Sequence, residues 1–207
     1  LSDPGLEIVS TMNIPSRDEC YQLIREMNML EHIAVHSLQV SRVAALLASG
    51  LRKRGNGLNE KLVQASALLH DITKARSFKT GELHSDTGCR YLTDRGYPEV
   101  GDIVRQHVRL DVYFESDSPT EAEIVNYADK RVLHDKIVPL QERMEYILQR
   151  YGSSPDSRSR LERLWHKSKL QETRIFVDLP FAPSRIEDYM AAMDVDVELN
   201  KIFGSSV

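Results

Sequence analysis

The stretch Leu62-Val63-Gln64-Ala65-Ser66-Ala67-Leu68-Leu69-His70-Asp71-Ile72-Thr73-Lys74 constrains this chain more than any other. It runs apolar and helix-prone into two adjacent ionisable residues, and a protein interior seldom takes up a His-Asp pair unless something compensates the charge. A metal ion does so. The imidazole offers a nitrogen and the carboxylate one or two oxygens, and neighbours about 100° apart around a helix converge on one ion at its flank. Lys74, one turn beyond His70, then stands where an anionic substrate would meet it. Taken alone, the dipeptide fits equally well a helix end at which Asp71 and Lys74 are solvated and His70 is satisfied by hydrogen bonds.

At 207 residues the chain is long enough for one domain with a real core, or one domain with an appendage. Cys20 and Cys89 are far apart and lack any CxxC spacing, which points to a reducing compartment, read as cytoplasmic, and away from a structural zinc site. Residues 1–5 show no basic segment leading into an apolar run, and about 18 successive apolar residues occur nowhere, so secretion and membrane spanning lose support. A net charge of −4 and a pI near 6.0 argue against a nucleic-acid polymer or a membrane surface as partner.

Helical periods dominate. Ser16-Arg17-Asp18-Glu19 is a capping box opening a helix that reaches roughly Met29. A second helix, about Glu31 to Leu51, repeats Val40, Val43, Ala44, Leu47 and Leu51, and four residues before Val40 lies His36. Asn59 caps the helix carrying His70 and Asp71, and a cation-rich loop, Ala75 to Gly81, follows. The helix from about Glu82 to Arg95 puts His84, Gly88, Tyr91 and Leu92 on one face, and from Pro98 the spacing Val100, Ile103, Val104, His107 repeats the theme. Ser118-Pro119-Thr120-Glu121 starts the next helix with Ser118 as its cap, and Asp129 falls four residues beyond Val125. Leu140 to Tyr151 traces another helix closed by Gly152. Two more are expected around Leu161-Leu164-Trp165 and Ile186 to Val197, with Arg174-Ile175-Phe176-Val177 the single β-like run. The expectation is an all-α fold: a lead-in over 1–15, a domain over 16–152, and a helical extension over 153–207 packed on that core.

His36, His70, Asp71, His84, His107 and Asp129 thus each fall on or beside the buried stripe of a predicted helix. A single histidine on an apolar face is usually a hydrogen-bonded core residue. The joint occurrence reverses the odds, because a helical bundle brings inward imidazoles and carboxylates together from distant parts of a chain. The order His36, His70-Asp71, Asp129 resembles the HD-domain superfamily of metal-dependent phosphohydrolases, through His36-Ser37-Leu38-Gln39-Val40-Ser41-Arg42-Val43-Ala44, Leu68-Leu69-His70-Asp71-Ile72-Thr73-Lys74 and Asn126-Tyr127-Ala128-Asp129-Lys130. The resemblance spans roughly Arg17 to Tyr151 and implies an HD-domain-like helical bundle with additional C-terminal helices. In the branch marked by the tetrapeptide H-D-I-G, two further histidines bind a second metal, and His84 and His107 match those places. Thr73 departs from that branch, which commonly has glycine there. Val108 after His107 departs from the HD-GYP cyclic-dinucleotide phosphodiesterases, which carry paired histidines, and Gly96-Tyr97-Pro98 reads as a helix stop.

The resemblance implies that Asp71 bridges two metal ions about 3.5–4 Å apart, with His36, His70 and Asp129 completing one site and His84 and His107 the other. A mononuclear site using the first four ligands is the conservative version. Imidazole and carboxylate without thiolate fit one or two ions of Fe, Mn, Co, Ni or Zn. A water acidified between the ions would attack phosphorus in line, and Lys74 would bind a non-bridging oxygen as a point charge. Arg109 and Lys130 are weaker candidates for that task, each competing with a solvated surface role. The implied function is hydrolysis of a phosphoester or phosphoanhydride in a small, nucleotide-like substrate, a dinucleoside polyphosphate among them, with Asp71 and Lys74 as the catalytic residues. Two other readings stay open: a non-catalytic metal- or nucleotide-binding sensor, motivated by the tail from Ser153, and oxygenation at a di-iron centre. A homo-oligomer stays open as well, and His32, His134 and His166 are left unassigned.

Overall fold

The computed structural model describes residues 12–114 and 116–204, so the expected lead-in lies outside the described residues except for 12–15, as do positions 205–207 of the extension. In chain order the helices are α1 (Arg17–Glu26), α2 (Glu31–Arg52), α3 (Glu60–Leu69), α4 (Lys74–Thr80), α5 (His84–Asp94), α6 (Pro98–Gln106), α7 (Glu121–Asp129), α8 (Leu140–Tyr151), α9 (Pro155–Phe176), α10 (Ile186–Tyr189) and α11 (Val195–Phe203). A small antiparallel ribbon, β1 (Val132–Leu133) with β2 (Lys136–Ile137), separates α7 from α8. The architecture is all-α.

Local chemistry accounts for the helix starts. Ser16 and Glu19 close the expected capping box on α1, and the Asn59 side chain accepts from Leu62 N at 3.2 Å to start α3. The start of α7 differs from expectation: Thr120, not Ser118, is the cap, because Glu123 three residues on completes the reciprocal box. Glu121 is occupied elsewhere, accepting from Asn59 N at 2.8 Å. At the bundle's centre α2 buries Ile33, Leu38, Val40, Val43, Leu47 and Leu51 and packs against α3 and α7, while α3 reaches α6 and α7. Among the described residues α2 alone is long and apolar enough to cross a membrane, and 61% of that apolar window is buried inside the fold. A core helix has the same composition.

Helices α5 and α6 cross closely. A Cβ on Gly101 would lie 2.8 Å from Cys89 O and 3.0 Å from Thr93 Oγ1, and one on Gly88 2.9 Å from Val104 Cγ1. Both glycines let the two backbones approach.

Three expectations are corrected. The cation-rich loop after Lys74 is helix α4. The β-like run Arg174 to Val177 ends helix α9, where Ile175 is fully buried and Phe176 packs edge-on to Tyr127 and Phe181, so tertiary packing overrides its β propensity. The helix expected over Ile186 to Val197 is two helices, broken at Met190, whose backbone is extended (ψ 135°), and Asp194 then caps α11. The C-terminal helices join the rest of the molecule by sending Ile175, Ile186 and Ile202 into the core and by polar contacts. Gln171 Nε2 donates to Glu123 O at 2.6 Å, Arg174 Nη1 to Glu123 Oε1 at 2.7 Å, and Arg25 Nη1 to Ile202 O at 3.0 Å.

Candidate metal centre

The apolar run of α3 stops at Leu69, and His70 is its C-cap. His107 is likewise the C-cap of α6. The last carbonyls of a helix lack intrahelical partners, and each of these imidazoles takes one: His70 Nδ1 donates to Ala67 O at 2.8 Å and His107 Nδ1 to Val104 O at 2.6 Å. His36, inside α2, donates Nδ1 to His134 O at 2.9 Å, in the β1–β2 turn where His134 adopts φ 57°. A donating Nδ1 leaves Nε2 as a bare lone pair. The rings converge: centroids of His36 and His70 are 5.3 Å apart, of His70 and His107 4.9 Å, of His84 and His107 5.0 Å.

The two aspartates sit among these nitrogens. Asp71 Oδ2 is 3.3 Å from His70 Nε2 and 2.7 Å from Lys74 Nζ, and Asp71 Oδ1 is 3.1 Å from His84 Nε2 and 3.7 Å from His107 Nε2. Asp129 Oδ1 is 3.1 Å from His36 Nε2 and 3.7 Å from His70 Nε2. Donor atoms of His36, His70 and Asp71 all lie within 4.8 Å of one another, as do those of Asp71, His84 and His107, so one carboxylate serves both groups.

A divalent ion fits this set on chemical grounds. His107 Nε2, a bare lone pair, faces His84 Nε2 at 3.1 Å, while His70 Nε2 and Asp71 Oδ1 are buried with no hydrogen-bond partner among the described residues. Electron-pair donors crowded this closely repel unless a cation lies among them, and nitrogen with oxygen donors suit a first-row transition metal. The electrostatics agree. Burial would raise the Asp71 carboxyl, but His70, His84 and Lys74 outweigh it and hold it well below the usual range. Asp129 is also held low against its burial, by His36 and Arg143. Burial, reinforced by His70, pushes His107 down to about 3, which keeps it in the neutral, ligating form.

Lys74 opens α4 with its side chain 32% exposed, so part of the ammonium reaches solvent beside Asp71. Thr73, at the position of the expected glycine, donates its hydroxyl to His84 O at 2.8 Å and shares a 2.8 Å bond with Thr87 Oγ1, tying the turn after the His-Asp pair to the start of α5. Lys130 is buried, its Nζ bonded to Asn126 O at 2.9 Å and Asn126 Oδ1 at 2.7 Å; burial pushes it down to about 8. Arg109 is exposed beyond α6, and among the described residues its side chain makes no hydrogen bond or ion pair with the cluster. The reading of the sequence missed Arg143 on α8, whose Nη2 is 3.8 Å from Asp129 Oδ1, and the His134 carbonyl.

The family described as HD domain matches residues 33–132. The chain carries an HD domain. That span contains all six clustered histidines and aspartates, and HD domains belong to a superfamily of metal-dependent phosphohydrolases. Ribonuclease Y of Aquifex aeolicus is 36% identical over 78 residues, 37% of this chain and 13% of that protein. Ribonuclease Y of Fervidobacterium nodosum is 33% identical over 99 residues, 48% of this chain and 18% of that one. An uncharacterized protein of Methanocaldococcus jannaschii is 26% identical over 144 residues, 63% of this chain and 84% of that protein. The chain therefore spans less than a fifth of each of these two ribonuclease Y relatives. No solved structure gives a significant match.

Proposed function

We propose that this HD domain hydrolyses a phosphoester or phosphoanhydride bond of a small, nucleotide-like substrate with one or two divalent metal ions. The observation that carries the reading is the pair of donor groups sharing the buried Asp71. His36, His70 and Asp129 would hold one ion and His84 with His107 the other, Asp71 serving both. When bound, such ions supply Lewis acidity toward phosphoryl oxygens and bring the pKa of water toward neutrality. Asp71 stays ionised across the working pH range and keeps both oxygens available as acceptors. Lys74 Nζ is pinned to Asp71 Oδ2 and partly open to solvent, so it can extend a hydrogen bond to a non-bridging oxygen and offset charge that grows there. His107, neutral down to about pH 3, keeps its lone pair directed inward.

A small substrate is favoured over a polymer by the net charge of −4, and free thiols at Cys20 and Cys89 favour a cytoplasmic setting. The catalytic unit is taken as 16–152 with 153–207 as its extension. The test is turnover of a nucleotide panel by purified protein supplied with Mn, Co or Ni, beside Asp71→Ala. The expected result is turnover in the wild type and none in the variant. Equal rates would end the reading, and tight nucleotide binding without turnover would favour a sensor instead.

A further inference from the structure

Arg143 lies on α8, outside the matched span 33–132. Its side chain is 14% exposed, its guanidinium makes no hydrogen bond among the described residues, and its Nε is fully buried without a partner. A guanidinium carries five N–H donors, and leaving them unpaired in a desolvated place is unfavourable. The nearest carboxylate oxygen among the described residues, Asp129 Oδ1, stands 3.8 Å from Nη2, beyond hydrogen-bond reach, and has His36 Nε2 3.1 Å away. Tyr146 supports the cation, its ring centroid 5.8 Å from Cζ, and Tyr146 in turn packs edge-on to His134 at 5.5 Å, the residue whose carbonyl orients His36. The guanidinium is thus braced beside the donor cluster with its donors unspent. Lys74, the other cation of the site, holds Asp71 Oδ2 at 2.7 Å, and His70 Nε2 lies between the two cations' carboxylates, 3.3 Å from that oxygen and 3.7 Å from Asp129 Oδ1.

We propose that Arg143 is the second anion anchor of this site: its N–H donors bind non-bridging oxygens of the substrate's phosphoryl group jointly with Lys74, selecting a terminal, doubly charged phosphate over an internal diester. This rests on the phosphohydrolase reading above. A terminal phosphoryl group offers three non-bridging oxygens and a diester two. A site that offers an ammonium and a guanidinium fork to one phosphoryl group, beside residues that would hold divalent ions, calls for the larger number and the larger charge.

The test compares wild type, Arg143→Lys and Arg143→Ala, all loaded with Mn. It measures inorganic phosphate affinity by calorimetry, kcat and KM on p-nitrophenyl phosphate and bis(p-nitrophenyl) phosphate, metal per chain, and melting temperature. The expected result is a loss of about tenfold or more in phosphate affinity and in monoester kcat/KM for Arg143→Ala. Arg143→Lys should recover part of it, the diester rate should change less, and metal content should stay at the wild-type level. Unchanged phosphate affinity in Arg143→Ala overturns the proposal, and so does loss of metal, which would make Arg143 a support for Asp129. A wild type inactive on every ester would remove the hydrolase reading instead; phosphate affinity would still decide on Arg143 by the same comparison.

Discussion

Gly101→Ala tests whether the close crossing of α5 and α6 is what brings His84 and His107 together. The added Cβ would sit 2.8 Å from Cys89 O and 3.0 Å from Thr93 Oγ1. The threonine can rotate, but the carbonyl belongs to the backbone of α5, so the helices must part by a few tenths of an ångström. Overpacking of this kind costs about 1–3 kcal/mol, and the better helix propensity of alanine returns up to about 1 kcal/mol. With the full return the net loss is up to about 2 kcal/mol, which lowers the melting temperature by up to about 8 °C in a chain of this size. The strain falls on the pair of helices bearing His84 and leading into His107, so metal should be lost from that half first. Thermal melts followed by circular dichroism, with elemental analysis of the same samples, read both effects. Gly57→Ala, whose Cβ meets nothing within 4 Å, serves as the control and should melt at or above the wild-type temperature. A Gly101→Ala protein that melts at or above the wild-type temperature and keeps its full metal content would refute the packing argument.

Two further outcomes follow from single groups. Thr73→Val keeps the side-chain shape but strips the hydroxyl that donates to His84 O and removes the 2.8 Å partner of Thr87 Oγ1, leaving that oxygen its longer contacts to Leu83 O at 3.2 Å and His84 O at 3.4 Å, so stability should fall by about 1–3 kcal/mol. Affinity at the His84–His107 half should drop about tenfold or more, measured by competition with a chromophoric chelator, and wild-type affinity would show that the hydroxyl orients nothing. Burial would raise the Glu198 carboxyl, but Lys201, Tyr21 and Arg17 outweigh it and bring it down to about 2. Since the folded pKa lies below the ordinary value of about 4.3, the contribution is complete above about pH 5 and fades as pH falls toward 2. Arg17 and Lys201 are 47% and 54% exposed, which screens the pairs to about 1–2 kcal/mol. Urea denaturation should show the gap between wild type and Glu198→Gln narrowing from pH 7 to pH 3, and a constant gap would contradict the assignment.

The helices were legible wherever an apolar stripe and a cap coincided, as at Ser16 with α1 and Asn59 with α3. The histidines of the cluster were visible for the same reason: each interrupts or ends a stripe that must face inward. What the sequence concealed lies in tertiary partners. Arg143 is one cation among many on an amphipathic helix, and only its lack of hydrogen bonds and its place beside Asp129 distinguish it. Thr73 reads as a departure from a pattern until its hydroxyl is seen on His84 O. Arg174 to Val177 has the β-branched and aromatic content of a strand, yet Ile175 and Phe176 are claimed by the last turn of a long helix. Lys130, read from the sequence as a weaker substrate contact or a solvated surface residue, turns inward to Asn126 because its helix face is buried.

The oxygens that hold the rear nitrogens of His70 and His107 are main-chain atoms, and any residue at positions 67 or 104 would supply them. The orientation of these rings is therefore indifferent to which side chains surround them and sensitive to where each helix terminates. One inserted residue in α3 or α6 would swing the ring by about 100° and leave every donor atom chemically intact but pointing elsewhere. Helix length, more than composition, is what lineages of this chain must transmit unchanged.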